Sequence, residues 1–208
     1  MHPLVIGNHT LAWGEKTYIM GIINLTPDSF SGDGLLPTAE APDDKKGWKT
    51  HAVDMARRFL DAGADVLDIG GESTRPGSQP VDAREELVRV LPVIRSISTV
   101  FPQVLISIDT CKAVVADEAL HAGAHIVNDV WGFRADPDLA GVAAAYAAPV
   151  VLMHNRSKPA SLETRDRLGA AYLGAQYQDL LTDVKRELLE SVTIARSAGI
   201  PEAMKRCF

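Results

Sequence analysis

Five polar residues close successive apolar runs in this sequence: Asn24, Asp68, Asp109, Asn128 and His154. Taken singly, each has a structural explanation. Asp68 or Asp109 suits a helix cap, because a carboxylate accepts from free backbone N–H groups. Asn128 suits a turn brace. Taken together, they mark five places where a strand meets its following loop, and in parallel α/β folds such ends share one face where sites are built. Two glycine-bearing segments join them. One runs Gly21-Ile-Ile-Asn24-Leu-Thr26-Pro27-Asp28-Ser29-Phe30-Ser31-Gly32-Asp33-Gly34, the other Asp68-Ile-Gly70-Gly71-Glu72-Ser73-Thr74-Arg75-Pro76-Gly77. Glycine lets backbone approach a ligand closely. Thr74 and Arg75 are hydrogen-bond donors, and Arg75 has the fork that grips a carboxylate or phosphate. The plain alternatives are a Thr-Pro-Asp turn for the first segment and a solvated surface charge for Arg75.

The elements that position these residues follow one alternation. Apolar runs at 18–23, 65–69, 104–108, 125–127 and 149–153 are each followed by a longer amphipathic stretch. Helices are expected near 49–62, 82–99, 111–122, 136–147 and 170–198. Strands apolar on both faces, alternating with helices, imply a parallel sheet covered by helices. Ala62-Gly63-Ala64 and Ala122-Gly123-Ala124 read as helix ends with a left-handed glycine, each followed directly by a strand. Ala198-Gly199-Ile200 repeats the signal, so a sixth strand is due, yet 201–208 holds no apolar run. The expected fold is therefore an α/β barrel of the TIM type, incomplete, with about five βα units. An N-terminal β-hairpin turns at Gly7-Asn8. Segment 31–49 reads as a long loop, rich in glycine, proline and charge.

Composition narrows the classes. With 208 residues and 46% hydrophobic content, the chain suits one globular domain with a sizeable core. A net charge of -6 and the lack of a basic stripe speak against nucleic acid. Two cysteines, Cys111 and Cys207, form no CxxC pair, so a reducing cytoplasm is the default. Neither a signal peptide nor a membrane span is expected. Cys111 opens a predicted helix, and an inert, buried thiol is the reading preferred there over a stabilised thiolate.

Asn24-Leu-Thr-Pro-Asp-Ser-Phe-Ser31 and Asp68-Ile-Gly-Gly-Glu-Ser-Thr-Arg-Pro-Gly77 resemble the two signature segments of the dihydropteroate synthase family. Ile106-Ser-Ile-Asp109-Thr110, Ile126-Val-Asn128-Asp129-Val130 and Val151-Leu-Met153-His154 continue the resemblance, which runs from about residue 4 to about residue 201. The resemblance implies a transferase of folate biosynthesis. It joins p-aminobenzoate to hydroxymethyl-dihydropterin pyrophosphate and releases pyrophosphate, with Mg2+ assisting. Asp109 and Asn128 are then expected to hold the pterin edge, and Met153 to lie under the flat ring unless it only fills core. Asn24 is expected to ligate the metal. Thr74, Arg75 and Pro76 fall to the p-aminobenzoate pocket, with Arg75 counted beside Asp109 and Asn128 among the catalytic groups. Asp28 and Phe30 are expected to order the first loop.

The same resemblance sets further expectations. The family's Asp-Pro-Gly strand, a substrate lysine and an Arg-x-His anion grip have no counterpart here. The chain is thus expected to lack the last three βα units, whether as a fragment or a frameshift product. Little turnover and self-association through open barrel edges are expected. A corrinoid-linked methyltetrahydrofolate methyltransferase and a non-catalytic pterin-binding relic are the alternatives.

Overall fold

The computed structural model describes residues 3–26, 47–73, 80–156 and 176–207. Strands β1 (Leu4–Ile6) and β2 (His9–Leu11) pair antiparallel as the expected hairpin, with Gly7 at φ 53° in its turn. Six strands then form one parallel sheet in chain order: β3 (Met20–Asn24), β4 (Val66–Gly70), β5 (Leu105–Asp109), β6 (Ile126–Asp129), β7 (Val150–Leu152) and β8 (Lys205–Cys207). Between them run α1 (Gly47–Asp61), α2 (Ala83–Val100), α3 (Ala113–His121), α4 (Leu139–Ala145) and α5 (Leu180–Ser197). Among the described residues five βα units are present, as the alternation predicts.

Three features differ from expectation. The tail after Gly199 does form the sixth strand that the period calls for, pairing Lys205 with Val150 and Cys207 with Leu152. It escapes an apolar-run search because it is short and led by a lysine. The Lys205 ammonium is nonetheless buried, donating to Ile200 O at 3.0 Å. Residues 47–49, read as loop, belong to α1. The remainder of segment 31–49 lies outside the described residues. Residues 170–175 of the expected fifth helix lie outside the described residues, and α5 starts at Leu180, where the Asp179 side chain caps it, accepting from the Thr182 N–H at 2.8 Å. Gly63, Gly123 and Gly199 all take positive φ (96°, 115° and 91°), so the three repeated helix ends share one left-handed terminator.

The alternation of side chains across each strand separates two cores. Ile23, Leu67, Ile69, Ile106, Ile108, Val127 and Val150 face the helices. Val90, Val93, Ile94 and Ile97 of α2 meet them with no exposed surface, a spacing that lays one helical stripe on the sheet. Each such buried side chain contributes about 1.5–3 kcal/mol. The opposite face is lined at its N-terminal end by Val66, Leu105 and Ile126, and the hairpin's Leu4, Ile6 and Leu11 pack onto them. The hairpin therefore plugs one end of the sheet's inner face and leaves the carboxyl rim to polar groups.

Candidate active site

Parallel register fixes which side chains share the inner face at that rim. Asn24 pairs with Gly70, Gly70 with Asp109, Asp109 with Asn128, and Asn128 with Val151. One row thus carries Asn24, Asp109 and Asn128. Asp68 stands two residues deeper than Gly70 on the same face, paired with Ile22 and Ser107. It is not a strand end, as the sequence suggests, but a mid-strand carboxylate with 3% exposure. Backbone bonds continue the ladder past the strands and hold the rim in register: Leu25 N–H to Gly70 O, Thr110 N–H to Asn128 O, and Met153 N–H to Asp129 O.

The row is electrostatically unusual. Asn128 donates through Nδ2 to Asp68 Oδ2 at 3.0 Å. Asp68 Oδ1 and Asp109 Oδ1 are buried and accept no hydrogen bond among the described residues. Ser107 Oγ lies close enough to Asp68 to influence it, yet makes no hydrogen bond of acceptable geometry. Burial pushes the Asp68 carboxyl upward, with Ser107 and Asn128 opposing. Asp109 is pushed well above the usual carboxylate range, first by burial and then by the negative charges of Asp68, Asp129, Glu86 and Glu72. Although its Oδ1 is sealed, the Asp109 side chain keeps part of its surface at the open mouth. Two buried carboxylates with unused acceptor capacity are arranged to receive N–H donors or positive charge from a ligand.

Gly70 keeps a gap between the members of the row. A Cβ there would stand 3.5 Å from Asp109 Oδ2 and 3.8 Å from Asn24 Oδ1, so both oxygens border the same small space. Oxygen donors of this kind suit a hard cation that retains waters. Among the described residues no cluster of three or more His, Cys, Asp or Glu forms a ligand set by itself.

Other residues fall elsewhere. His154 does not join the row: its Nε2 lies 2.8 Å from Glu187 Oε2 on α5. Arg156 also binds Glu187 and Asp183, stacks over the Tyr177 ring, and bonds Gln176 O. Burial tends to raise Glu187, but His154 and Arg156 outweigh it and hold the carboxyl low. Met153 is half-buried and continues the alternation from Val151. Thr74, Arg75, Pro76, Asp28 and Phe30 lie outside the described residues. Cys111 is pushed up to about 12 by burial, in keeping with an inert thiol.

Sequence reasoning missed three groups. Asp129, fully buried on the helix side, accepts from Trp131 N–H at 2.8 Å and Phe133 N–H at 2.6 Å. It is thus the turn brace for which Asn128 was the expected alternative. Glu86 and Lys112 form an ion pair at 2.6 Å behind the row. An acidic residue on the apolar stripe of α2 was the one available signal.

The pterin binding enzyme family model matches residues 20–204. The chain is 41% identical over 197 residues to dihydropteroate synthase of Clostridium beijerinckii, covering 95% of this chain and 63% of that protein. A solved dihydropteroate synthase from Clostridium difficile, crystallised with pteroic acid, superposes with TM-score 0.76 at 40% identity, covering 93% of this chain and 64% of the other. The Yersinia pestis dihydropteroate synthase, solved with a sulfonamide drug, gives TM-score 0.80 at 35% identity, with 99% and 66% covered. The chain spans about three-fifths of the length of the curated relatives it matches. Its five βα units and hairpin are accordingly those of a (β/α)8-type barrel. With the parallel rim, the buried acidic row and the match over 20–204 in agreement, the chain belongs to the pterin-binding enzyme family.

Proposed function

We propose that this chain serves dihydropteroate synthesis, the condensation of p-aminobenzoate with hydroxymethyl-dihydropterin pyrophosphate that releases pyrophosphate. The observation that carries the proposal is the inner row of Asp68, Asp109 and Asn128, with two carboxylate oxygens buried and unpartnered. A pterin edge offers N–H donors in one plane. Asp109 and Asp68 accept them, and Asn128, fixed by Asp68, presents its amide oxygen to the same edge. Breaking the carbon–oxygen bond to pyrophosphate leaves positive charge on the pterin. Preoriented carboxylates lower the free energy of that state more than of the neutral substrate. Met153 supplies apolar surface near the ring. Thr74, Arg75 and Pro76 take the p-aminobenzoate side, with Asp28 and Phe30 ordering the first loop.

Asn24 Oδ1 borders the gap over Gly70 and would hold Mg2+ together with water and substrate oxygens. When bound, the cation neutralises part of the pyrophosphate charge. No helix among the described residues is long and apolar enough to cross a membrane. A cytoplasmic setting is part of this reading, supported by the free thiol of Cys111. Self-association is also part of it, because β3 and β8 are the outer strands of the described sheet and Ile22 is 55% exposed on β3.

Calorimetry with 6-hydroxymethylpterin tests the site. Wild type is expected to bind, and Asp109→Ala or Asn128→Ala to weaken binding on the order of 100-fold, the scale of losing one preoriented polar contact. Unchanged affinity in both variants would remove the pterin from this row.

A further inference from the structure

Helix α5 buries a stripe unlike that of α2. Asp183, Glu187, Ser191 and Ala195 recur every fourth residue and face inward, so the stripe is acidic at its N-terminal end and small at its C-terminal end. Asp183 stands in the first turn, where the helix dipole favours a carboxylate. Glu187 lies about two turns in, beyond the reach of that effect. It is 7% exposed, and its carboxylate is spent on residues that follow β7. Because His154 and Arg156 hold its carboxyl low, Glu187 is ionised and accepts: Oε2 from His154 Nε2 at 2.8 Å, Oε1 from Arg156 Nε at 3.0 Å and Nη2 at 2.7 Å. One turn further along, Ser191 meets the β6–α4 connection. A Cβ on Gly132 would stand 2.5 Å from Ser191 Oγ and 3.3 Å from Met153 O, so α5 and Met153 close on that glycine together. The Met153 N–H donates to Asp129 O at 3.2 Å. Met153 is thus held by β6 through its own N–H and by α5 through the residue after it.

We propose that Glu187 is a positioning residue: by holding His154 from α5 it fixes the direction of Met153 and so sets the apolar wall of the pterin site. Val151 pairs with Asn128 on the inner face, and Met153 follows two residues later on the same side. Successive side chains of an extended chain point to opposite faces, so His154 turned toward Glu187 and Met153 turned toward the row are one backbone conformation. Releasing His154 frees both. The consequence for the ligand rests on the function proposed above, whereas the hold on His154 does not. A thioether against an aromatic ring is worth up to about tenfold in affinity, which sets the size of the effect.

NMR of the purified chain, with methionine labelled at its methyl carbon, reads the position directly. The Met153 signal is identified by its loss in Met153→Leu, and Met20 on β3 and Met55 on α1 serve as references. Glu187→Ala and His154→Leu are each expected to move or broaden the Met153 signal while the references stay in place. Glu187→Gln keeps an acceptor for His154 Nε2 and should stay close to wild type. Glu190→Ala, half-exposed on the same helix, should change nothing. Calorimetry with 6-hydroxymethylpterin should show roughly three- to tenfold weaker binding in Glu187→Ala, and no further loss when His154→Leu is added, since both remove one contact. An unmoved Met153 signal in both single variants, or equal movement of Met20 and Met55, overturns the positioning. If Glu187→Ala does not fold, His154→Leu alone decides it. Losses that multiply in the double variant overturn the route through His154. Unchanged affinity in variants whose Met153 signal moves overturns the link to the wall. Wild type that does not bind the pterin overturns the functional reading, and the methyl signals still decide the hold on Met153.

Discussion

Asp109 carries an electrostatic cost of readable sign. Its carboxyl is raised well above the usual range by burial and by four neighbouring carboxylates. A raised folded-state value means that the native state holds its proton where the unfolded chain, with Asp near 3.9, has released it. Asp109 thus detracts from stability as pH climbs from about 4 through its raised value. Asp109→Asn should stabilise the fold at neutral pH by on the order of 1 kcal/mol, seen as a higher melting temperature, while weakening pterin binding by no more than the roughly 100-fold expected of Asp109→Ala. The ligand reverses the preference, because N–H donors and positive charge favour the carboxylate. Pterin binding should therefore release a proton and weaken as pH is lowered below the raised Asp109 value, by at most about one decade per pH unit. Calorimetry in two buffers of different ionisation enthalpy measures that proton directly. Identical heats in both buffers would show that Asp109 does not change its charge on binding. Since Asp68 faces the same space, the pair titrates jointly, and the proton belongs to both.

At the scale of elements, Gly70 ends β4 and Gly71 follows it, yet the two face opposite demands. A Cβ on Gly71 would lie 2.8 Å from Val90 Cγ1, 2.9 Å from Glu86 Cγ and 3.2 Å from the Glu86 carbonyl oxygen, so α2 leaves no room for it. A Cβ on Gly70 meets only ordinary contacts at 3.5–3.8 Å. Gly71→Ala is expected to cost about 1–3 kcal/mol in chemical denaturation, the usual penalty of overpacking. Gly70→Ala should cost under about 1 kcal/mol, yet weaken pterin binding by narrowing the gap between Asn24 and Asp109. A reversed order of the two stabilities would mean that the packing of β4 against α2 is misread. This pair also shows what a sequence discloses. Asn24, Asp109 and Asn128 were legible because parallel βα units deliver strand ends to one rim, whatever the side chains are. The placement of Glu86, Lys112 and His154 was not legible, because each finds its partner across a long stretch of chain: Lys112 with Glu72 and Glu86, His154 with Glu187. Local patterning holds no trace of such tertiary pairs. Strand β8 was missed for a different reason, since its buried lysine is satisfied by a backbone carbonyl rather than announced by apolar neighbours.

The whole molecule joins a plugged end to an open rim. Hairpin β1–β2 covers the inner face at Val66, Leu105 and Ile126, the end opposite the rim that carries Asp109 and Asn128. The flanks of the sheet are less well covered. Strand β3 pairs only with β4, and β8 only with β7, among the described residues. Ile19, Met20 and Ile22 are 51%, 37% and 55% exposed on or beside β3, an apolar edge of the kind that recruits another chain. The expected behaviour is concentration-dependent association, visible by light scattering coupled to size-exclusion chromatography over roughly a hundredfold range of loading. Ile22→Lys places a charge on that edge and should shift the profile toward monomer, as edge lysines do in natural sheets. Because the Ile22 side chain is mostly in solvent, the substitution should leave the melting temperature nearly unchanged. A wild-type monomer at every concentration would show that the β3 edge is closed in solution, and would remove self-association from the proposed function.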